Sequence, residues 1–176
     1  MDIALSPVEV RILGSLVEKE LTTPAYYPLT LNALTAACNQ RSNRDPVMQL
    51  DSAEIADAIE ALRERGLAWQ VSMAESRVPK YRHGLAEKFA FLTPTAIAVL
   101  CELMLRGAQT SAELRTRAAR MVGAEAAAET EAALSLLAAA ENGPMAVQLP
   151  REPGRRERRY AHLLAGIPAE AAEPDD

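Results

Sequence analysis

Aromatic side chains are scarce. Phe, Trp and Tyr together make up 4% of the 176 residues, with a single tryptophan. Any core must therefore be aliphatic and alanine-rich, which the 49% apolar content permits. Cysteine is limited to Cys38 and Cys101. Both stand among apolar residues in helical patterns, with no Cys-x-x-Cys or Cys/His spacing. They read as two reduced thiols acting as small hydrophobes, not as a disulfide or a metal site. Gly14, Gly66, Gly84, Gly107 and Gly123 are isolated, so there is no Gly-rich phosphate loop. No metal or organic cofactor is expected. No apolar run reaches membrane-spanning length. Met1 to Pro7 lack the basic and apolar regions of a secretory leader, and a cytoplasmic location is the resulting expectation. Excess positive charge is missing as well. The formal net charge of −5 argues against a nucleic-acid-coating protein but leaves room for a local basic patch.

What the chain does contain is an internal repeat. Leu5-Ser6-Pro7 opens one half and Leu92-Thr93-Pro94 opens another, followed by Ile12-Leu13 and Val99-Leu100. Short second helices are expected around Leu31–Leu34 and Leu114–Ala118. Third helices are expected around Ile55–Leu62 and Ala133–Leu137. Both halves close on similar strings, Lys80-Tyr81-Arg82-His83 and Arg159-Tyr160-Ala161-His162.

Local chemistry sets the element boundaries. Ser6 caps a helix with Pro7 at its first position and Glu9 as capping-box partner, and Val8, Ile12, Leu13, Leu16 and Val17 form its apolar stripe. Thr30 caps the second helix, and Asp51 with Glu54 starts the third, which stops at Gly66. Leu67 to Val71 alternate as a strand. Ala74 to Arg77 turn the chain, and Val78 to Arg82 return, with Pro79 marking an edge. The second half has a helix from Pro94 to about Arg106. A second is capped by Thr110 and Glu113, and a third ends near Asn142-Gly143-Pro144. Met145, Val147 and Leu149 alternate, Pro150 to Arg156 turn, and Arg158 to Leu164 return. Three helices and a hairpin, twice, is the order of a winged helix-turn-helix in tandem. The expected fold class is mainly α with small β-hairpins: one winged-helix domain over residues 1–86, a second over 87–166, and a disordered acidic tail over 167–176. Ile12, Leu16, Leu34, Ile59 and Leu62 are the expected first core; Leu100, Leu114, Leu134 and Leu137 are the second.

Three motifs carry a resemblance. Cys38-Asn39-Gln40-Arg41-Ser42-Asn43-Arg44-Asp45-Pro46-Val47-Met48 is the first. Leu105-Arg106-Gly107-Ala108-Gln109-Thr110 with Glu113-Leu114-Arg115 is the second. The third is Arg151-Glu152-Pro153-Gly154-Arg155-Arg156-Glu157 with Arg159-Tyr160 and His162-Leu163. From Leu5 to Gly166 the chain resembles the YceH family of bacterial proteins of unknown function. That resemblance implies a tandem winged-helix fold and no assigned activity. Longer members carry a C-terminal coiled-coil helix, and none is expected within these 176 residues.

Catalysis is not expected. His83 and His162, the only histidines, occupy equivalent repeat positions, which suits structural residues better than a duplicated general base. Nucleic-acid binding is the function the fold suggests by analogy. Yet Asp51, Glu54, Asp57, Glu60 and Glu64 line the first third helix, and the second carries Glu129 and Glu131 without Lys or Arg; phosphate would repel both. Two other places suit nucleic acid. Asn39, Gln40, Arg41, Asn43 and Arg44 are side chains that can pair with base edges, or equally can satisfy backbone groups and nearby acids. Arg155, Arg156, Arg158 and Arg159 give the second wing a cationic tip suited to phosphate. The leading expectation is a non-enzymatic, DNA-associated regulatory protein contacting double-stranded DNA through these two places. The alternative is an interaction scaffold that docks on a second copy or a protein partner, its arginines paired with acidic helices. Arginines buried against Glu and Asp would favour the scaffold.

Overall fold

The computed structural model describes residues 3–172. The first half comprises α1 (Pro7–Thr22), β1 (Leu29–Thr30), α2 (Leu31–Cys38), α3 (Ser52–Glu64), β2 (Ala68–Met73) and β3 (Ser76–His83). A one-turn helix, α4 (Leu85–Lys88), leads to α5 (Pro94–Arg106), β4 (Gln109–Thr110), α6 (Ser111–Val122), α7 (Ala124–Ala127), α8 (Thr130–Ala138), β5 (Ala146–Gln148) and β6 (Arg159–His162). The architecture is mainly α with two small antiparallel sheets, whose strand orders are β1-β3-β2 and β4-β6-β5. The two halves thus repeat the same sheet topology and, apart from the extra one-turn helix α7 in the second, the same element order.

Capping chemistry starts these helices where the sequence places it. Ser6 and Glu9, Asp51 and Glu54, and Thr110 and Glu113 form reciprocal capping boxes, and Thr30 and Thr93 cap singly. Each satisfies N–H groups that the first helical turn leaves without partners. At the other end of α3, Gly66 takes φ 72°, and the Leu67 amide donates to the Leu62 carbonyl. A left-handed residue closes the last turn this way, and glycine adopts it without a Cβ clash.

Several details differ from the sequence reading, among them the one-turn helices α4 and α7 and a turn of only Ala74 and Glu75 between β2 and β3. The two-residue strands β1 and β4 were not expected; each ends on the threonine that caps the next helix and adds a third strand. Pro79 is not on an edge: β3 is the middle strand. The proline is tolerated because the β2–β3 register shifts between Val71 and Met73, and β1 pairs only with Lys80 and Tyr81, so residue 79 lies where the ladder is interrupted. The tail is ordered further than expected, with a 3₁₀ turn at Ala169–Ala172; residues 173–176 lie outside the described part.

All the expected core residues are buried. Each such aliphatic side chain contributes roughly 1.5–3 kcal/mol relative to exposure. The buried apolar residues of both halves form one connected cluster, with α1 lying against α5. That packing explains why α1 is buried continuously from Glu9 to Glu18, which no amphipathic surface helix would be. Gly14 permits the approach, since a Cβ there would sit 3.0 Å from Leu105 Cδ2 and Cγ.

Candidate nucleic-acid interface

The segment after α2 is built into the protein. Asn39 pins its two ends: Nδ2 donates to the Leu50 carbonyl at 2.8 Å and Oδ1 accepts from the Leu50 amide at 2.7 Å. Gln40 donates to the Ser42 carbonyl at 3.1 Å and accepts from Lys19 Nζ at 2.9 Å. Asn43, at φ 59°, accepts from the Arg106 guanidinium of α5. The backbone follows the side chains inward, the Asp45 amide donating to the Leu105 carbonyl at 2.9 Å.

Arg44 corrects the sequence reading most sharply. It is only 6% exposed. Its two terminal nitrogens donate to both carboxylate oxygens of Glu18, at 2.9 and 2.6 Å, and Nε donates to the Ala37 carbonyl at 3.0 Å. A guanidinium held in this fork has no donor to offer a base edge. Of the five residues expected to read bases, only Arg41 is exposed.

The Glu18–Arg44 pair belongs to a buried ionic junction between the halves. Glu18 also accepts from Arg120 of α6 at 2.8 Å, and Arg120 donates to Glu102 of α5 at 3.1 Å. Arg106 Nε lies 3.3 Å from Glu102. Arg11 of α1, fully enclosed, donates to the carbonyls of Cys38 at 2.9 Å and Pro46 at 2.5 Å. Burial alone would raise the Glu18 carboxyl. The Arg44 and Arg120 guanidinia outweigh it and hold the group down at about 2. The same carboxylates raise Arg120 against its own desolvation, while burial, aided by neighbouring Arg44, lowers Arg11. The sequence reading missed Glu18, Glu102 and Arg120, which look like ordinary solvated helix charges.

The second wing stays at the surface. Arg155 and Arg156 are exposed, as are Arg151, Glu152 and Glu157, while Arg158 and Arg159 are half-buried. Arg159 is held by Glu152 at 2.5 Å, with Glu170 of the tail 3.8 Å away. Between this hairpin and the start of α6 lies a polar hollow of about 290 Å³ that mixes Glu113, Glu152 and Glu157 with Arg155 and Arg159. The third helices have the acidic faces expected: Glu54, Asp57, Glu60 and Glu64 are exposed on α3, and Glu131 on α8.

The histidines occupy matching positions. His83 Nδ1 accepts from the Leu85 amide and His162 Nδ1 from the Leu164 amide, both at 3.2 Å. His83 Nε2 then faces Glu20 at 2.8 Å. Burial pushes His162 down to about 4. Each ring fastens the chain as it leaves its sheet.

Fold and surface define a mainly α protein of two repeated helix-and-hairpin halves, joined by buried ion pairs. Among the described residues no His, Cys, Asp and Glu cluster could hold a metal ion, and no helix is long and apolar enough to cross a membrane. The pattern of a family described as "Protein of unknown function, DUF480" matches residues 5–155. A UPF0502 protein of Geobacter metallireducens is 56% identical over 173 residues, covering 98% of this chain and 78% of the relative. Another from Opitutus terrae is 50% identical over 171 residues, 97% of this chain and 74% of the relative. One from Vibrio cholerae is 50% identical over 169 residues, 94% and 78% of the respective lengths. The chain belongs to this bacterial family.

Proposed function

We propose that this protein is a non-enzymatic interaction scaffold. We read its halves, 1–86 and 87–166, as two winged helix-turn-helix units held in one fixed orientation. The observation that carries this reading is the burial of Arg44 on Glu18. The segment best suited by composition to base recognition is spent on the junction, and removing Arg44 from that junction would leave Glu18 a buried carboxylate short of its main partner. The acidic outer face of α3 adds to it, since the helix that enters the major groove in such folds would here be repelled by phosphate. A fixed pair of winged-helix units offers surfaces of defined spacing and costs little ordering on association.

A DNA-associated regulatory role is the second reading, and the exposed Arg155 and Arg156 at the second wing favour it. Arg41 and the half-buried Arg158 and Arg159 would be the remaining contacts. Titration of labelled duplex DNA into the full chain at low salt, where electrostatic attraction is least screened, separates the two. The scaffold reading expects no saturable binding. Saturable binding whose log affinity falls linearly with log salt, with a slope reduced by about one unit in Arg155→Ala or Arg156→Ala, would overturn it.

A further inference from the structure

Among the described residues, Tyr26, Val47, Trp69, Met73, Val78, Phe91 and Ile167 are the exposed large hydrophobics. Three of these seven stand on the β2–β3 hairpin, at 45%, 44% and 53% exposure for Trp69, Met73 and Val78. The register shows how they come together. Ala68 pairs with His83 and both are buried, so that face of the ribbon turns inward. The neighbouring pairs, Trp69 with Arg82 and Val71 with Lys80, therefore turn outward. Met73 and Val78 are exposed nearer the hairpin tip, beyond the point where the β2–β3 register shifts. Arg82 lies over the Trp69 ring at 5.6 Å from its centroid and donates to Glu87 at 2.7 Å. β2 is an edge strand carrying no charged residue and no proline, its one protection against an incoming chain being the irregular register between Val71 and Met73.

The same half of the molecule carries a surface of matching character. A shallow groove of about 340 Å³ at the start of α3 mixes Val47, Met48 and Leu50 with the polar Asn39, Arg41, Gln49 and Asp51. Val47 is 50% exposed there. Asp51 of the groove caps α3, whose exposed side carries Glu54, Asp57, Glu60 and Glu64 at three- and four-residue spacing, Glu60 being paired with Arg63 at 2.7 Å. The hairpin carries Arg77, Lys80 and Arg82 against the single acid Glu75 at its turn.

We propose that the β2–β3 hairpin docks into the groove and acidic α3 stripe of a second copy of this chain. The proposal rests on the scaffold reading and names its partner surface. Apolar meets apolar: Trp69, Met73 and Val78 cover Val47, Met48 and Leu50. Charge meets opposite charge: Lys80 faces the α3 carboxylates, and Glu75 at the tip faces Arg41 at the groove. The proposed arrangement is a two-fold exchange, each hairpin entering the other chain's groove, which closes the assembly as a dimer. α3 alone does not supply the apolar part, since Ile55, Ile59 and Leu62 are buried in its own core; the groove does.

Trp69 is the only tryptophan, so its emission reports the docking directly. The full chain is followed by analytical ultracentrifugation and by Trp69 emission, from nanomolar to high micromolar concentration, without nucleic acid. The expected result is a monomer–dimer equilibrium whose dimer shows blue-shifted emission and weakens as salt rises. Val78→Glu and Lys80→Glu each raise the dissociation constant about tenfold or more while leaving the unfolding midpoint unchanged. Asp57→Lys weakens the homodimer in the same way. A mixture of the Lys80→Glu and Asp57→Lys chains regains the dimer, because one contact is then the reversed pair and the other is native. A monomer at every concentration with unchanged emission, a dimer indifferent to both hairpin variants, or an emission change seen only when duplex DNA is added would overturn the proposal. A strict monomer that also ignores DNA removes this dimer and leaves the scaffold reading intact. DNA binding lost with Arg155 and Arg156 removes the scaffold reading, whatever the oligomeric state.

Discussion

Replacing Glu18 with Gln would take the only carboxylate away from Arg44. The Arg44 side chain is fully enclosed and its partner is 1% exposed, so water cannot take the place of the lost charge. Breaking a buried ion pair from one side costs about 3–5 kcal/mol. For a chain of this size each kcal/mol lowers Tm by roughly 2–4 °C, which predicts a drop of about 6–20 °C. Arg44→Met should cost less, since Glu18 keeps Arg120 at 2.8 Å and Lys19 at 3.3 Å. The double variant should recover most of the Glu18→Gln loss, because replacing both partners leaves no buried charge unpaired. Thermal unfolding followed by circular dichroism measures all three. Acid titration adds a second signature. The folded Glu18 carboxyl lies at about 2 against an ordinary 4.5, so its contribution, of order 3 kcal/mol, is complete above pH 4.5 and drains away as pH falls towards 2. Glu18→Gln should lack that part of the acid dependence. A Glu18→Gln loss below about 1 kcal/mol, a value typical of an exposed pair, would refute the buried junction.

Other expectations follow from single sites. Leu62→Ala, at a fully buried position of α3, should cost roughly 2–5 kcal/mol in chemical denaturation. Gly14→Val should cost at least about 1–3 kcal/mol by the same measurement, because its side chain would overlap Leu105 across the α1–α5 contact. His162 should titrate near 4 by NMR instead of near 6.5. With the folded value depressed, its share of stability is complete above pH 6.5 and is lost as pH falls from there towards 4; an ordinary titration near 6.5 would show the ring to be solvated.

The sequence showed the helix starts well because capping is local: Ser6 needs only Glu9, and Asp51 only Glu54. The repeat was legible for a similar reason, since Tyr81–His83 and Tyr160–His162 take equivalent positions on the middle strand of each sheet and each histidine Nδ1 accepts from the amide two residues on. What local reading could not supply was the partner of a charged residue. Arg11, Ser15 and Glu18 fall on one face of α1 at spacings of four and three, and a polar helix face ordinarily meets water. The segment 39–50 of the same half, together with α5 and α6 from the other, turns that face inward: Arg11 meets the Cys38 and Pro46 carbonyls, and Glu18 meets Arg44 and Arg120. Asn39 to Arg44 show the converse. Their side chains can read bases or satisfy buried groups, and the choice is made by Glu18, 26 positions from Arg44. Pro79 looked like an edge signal because a proline removes a donor, whereas the irregularity between Val71 and Met73 removes the need for one.

The most direct test of the central claim, that residues 39–50 are part of the junction and not a ligand-reading loop, is amide hydrogen exchange on the full chain. The Asp45 amide donates to Leu105 and the Leu50 amide to Asn39, so both should be protected to nearly the same degree as the buried turns of α1 and α5, and both should lose that protection in Glu18→Gln. Exchange of these two amides as fast as at an exposed loop tip, with α1 and α5 still protected, would contradict it.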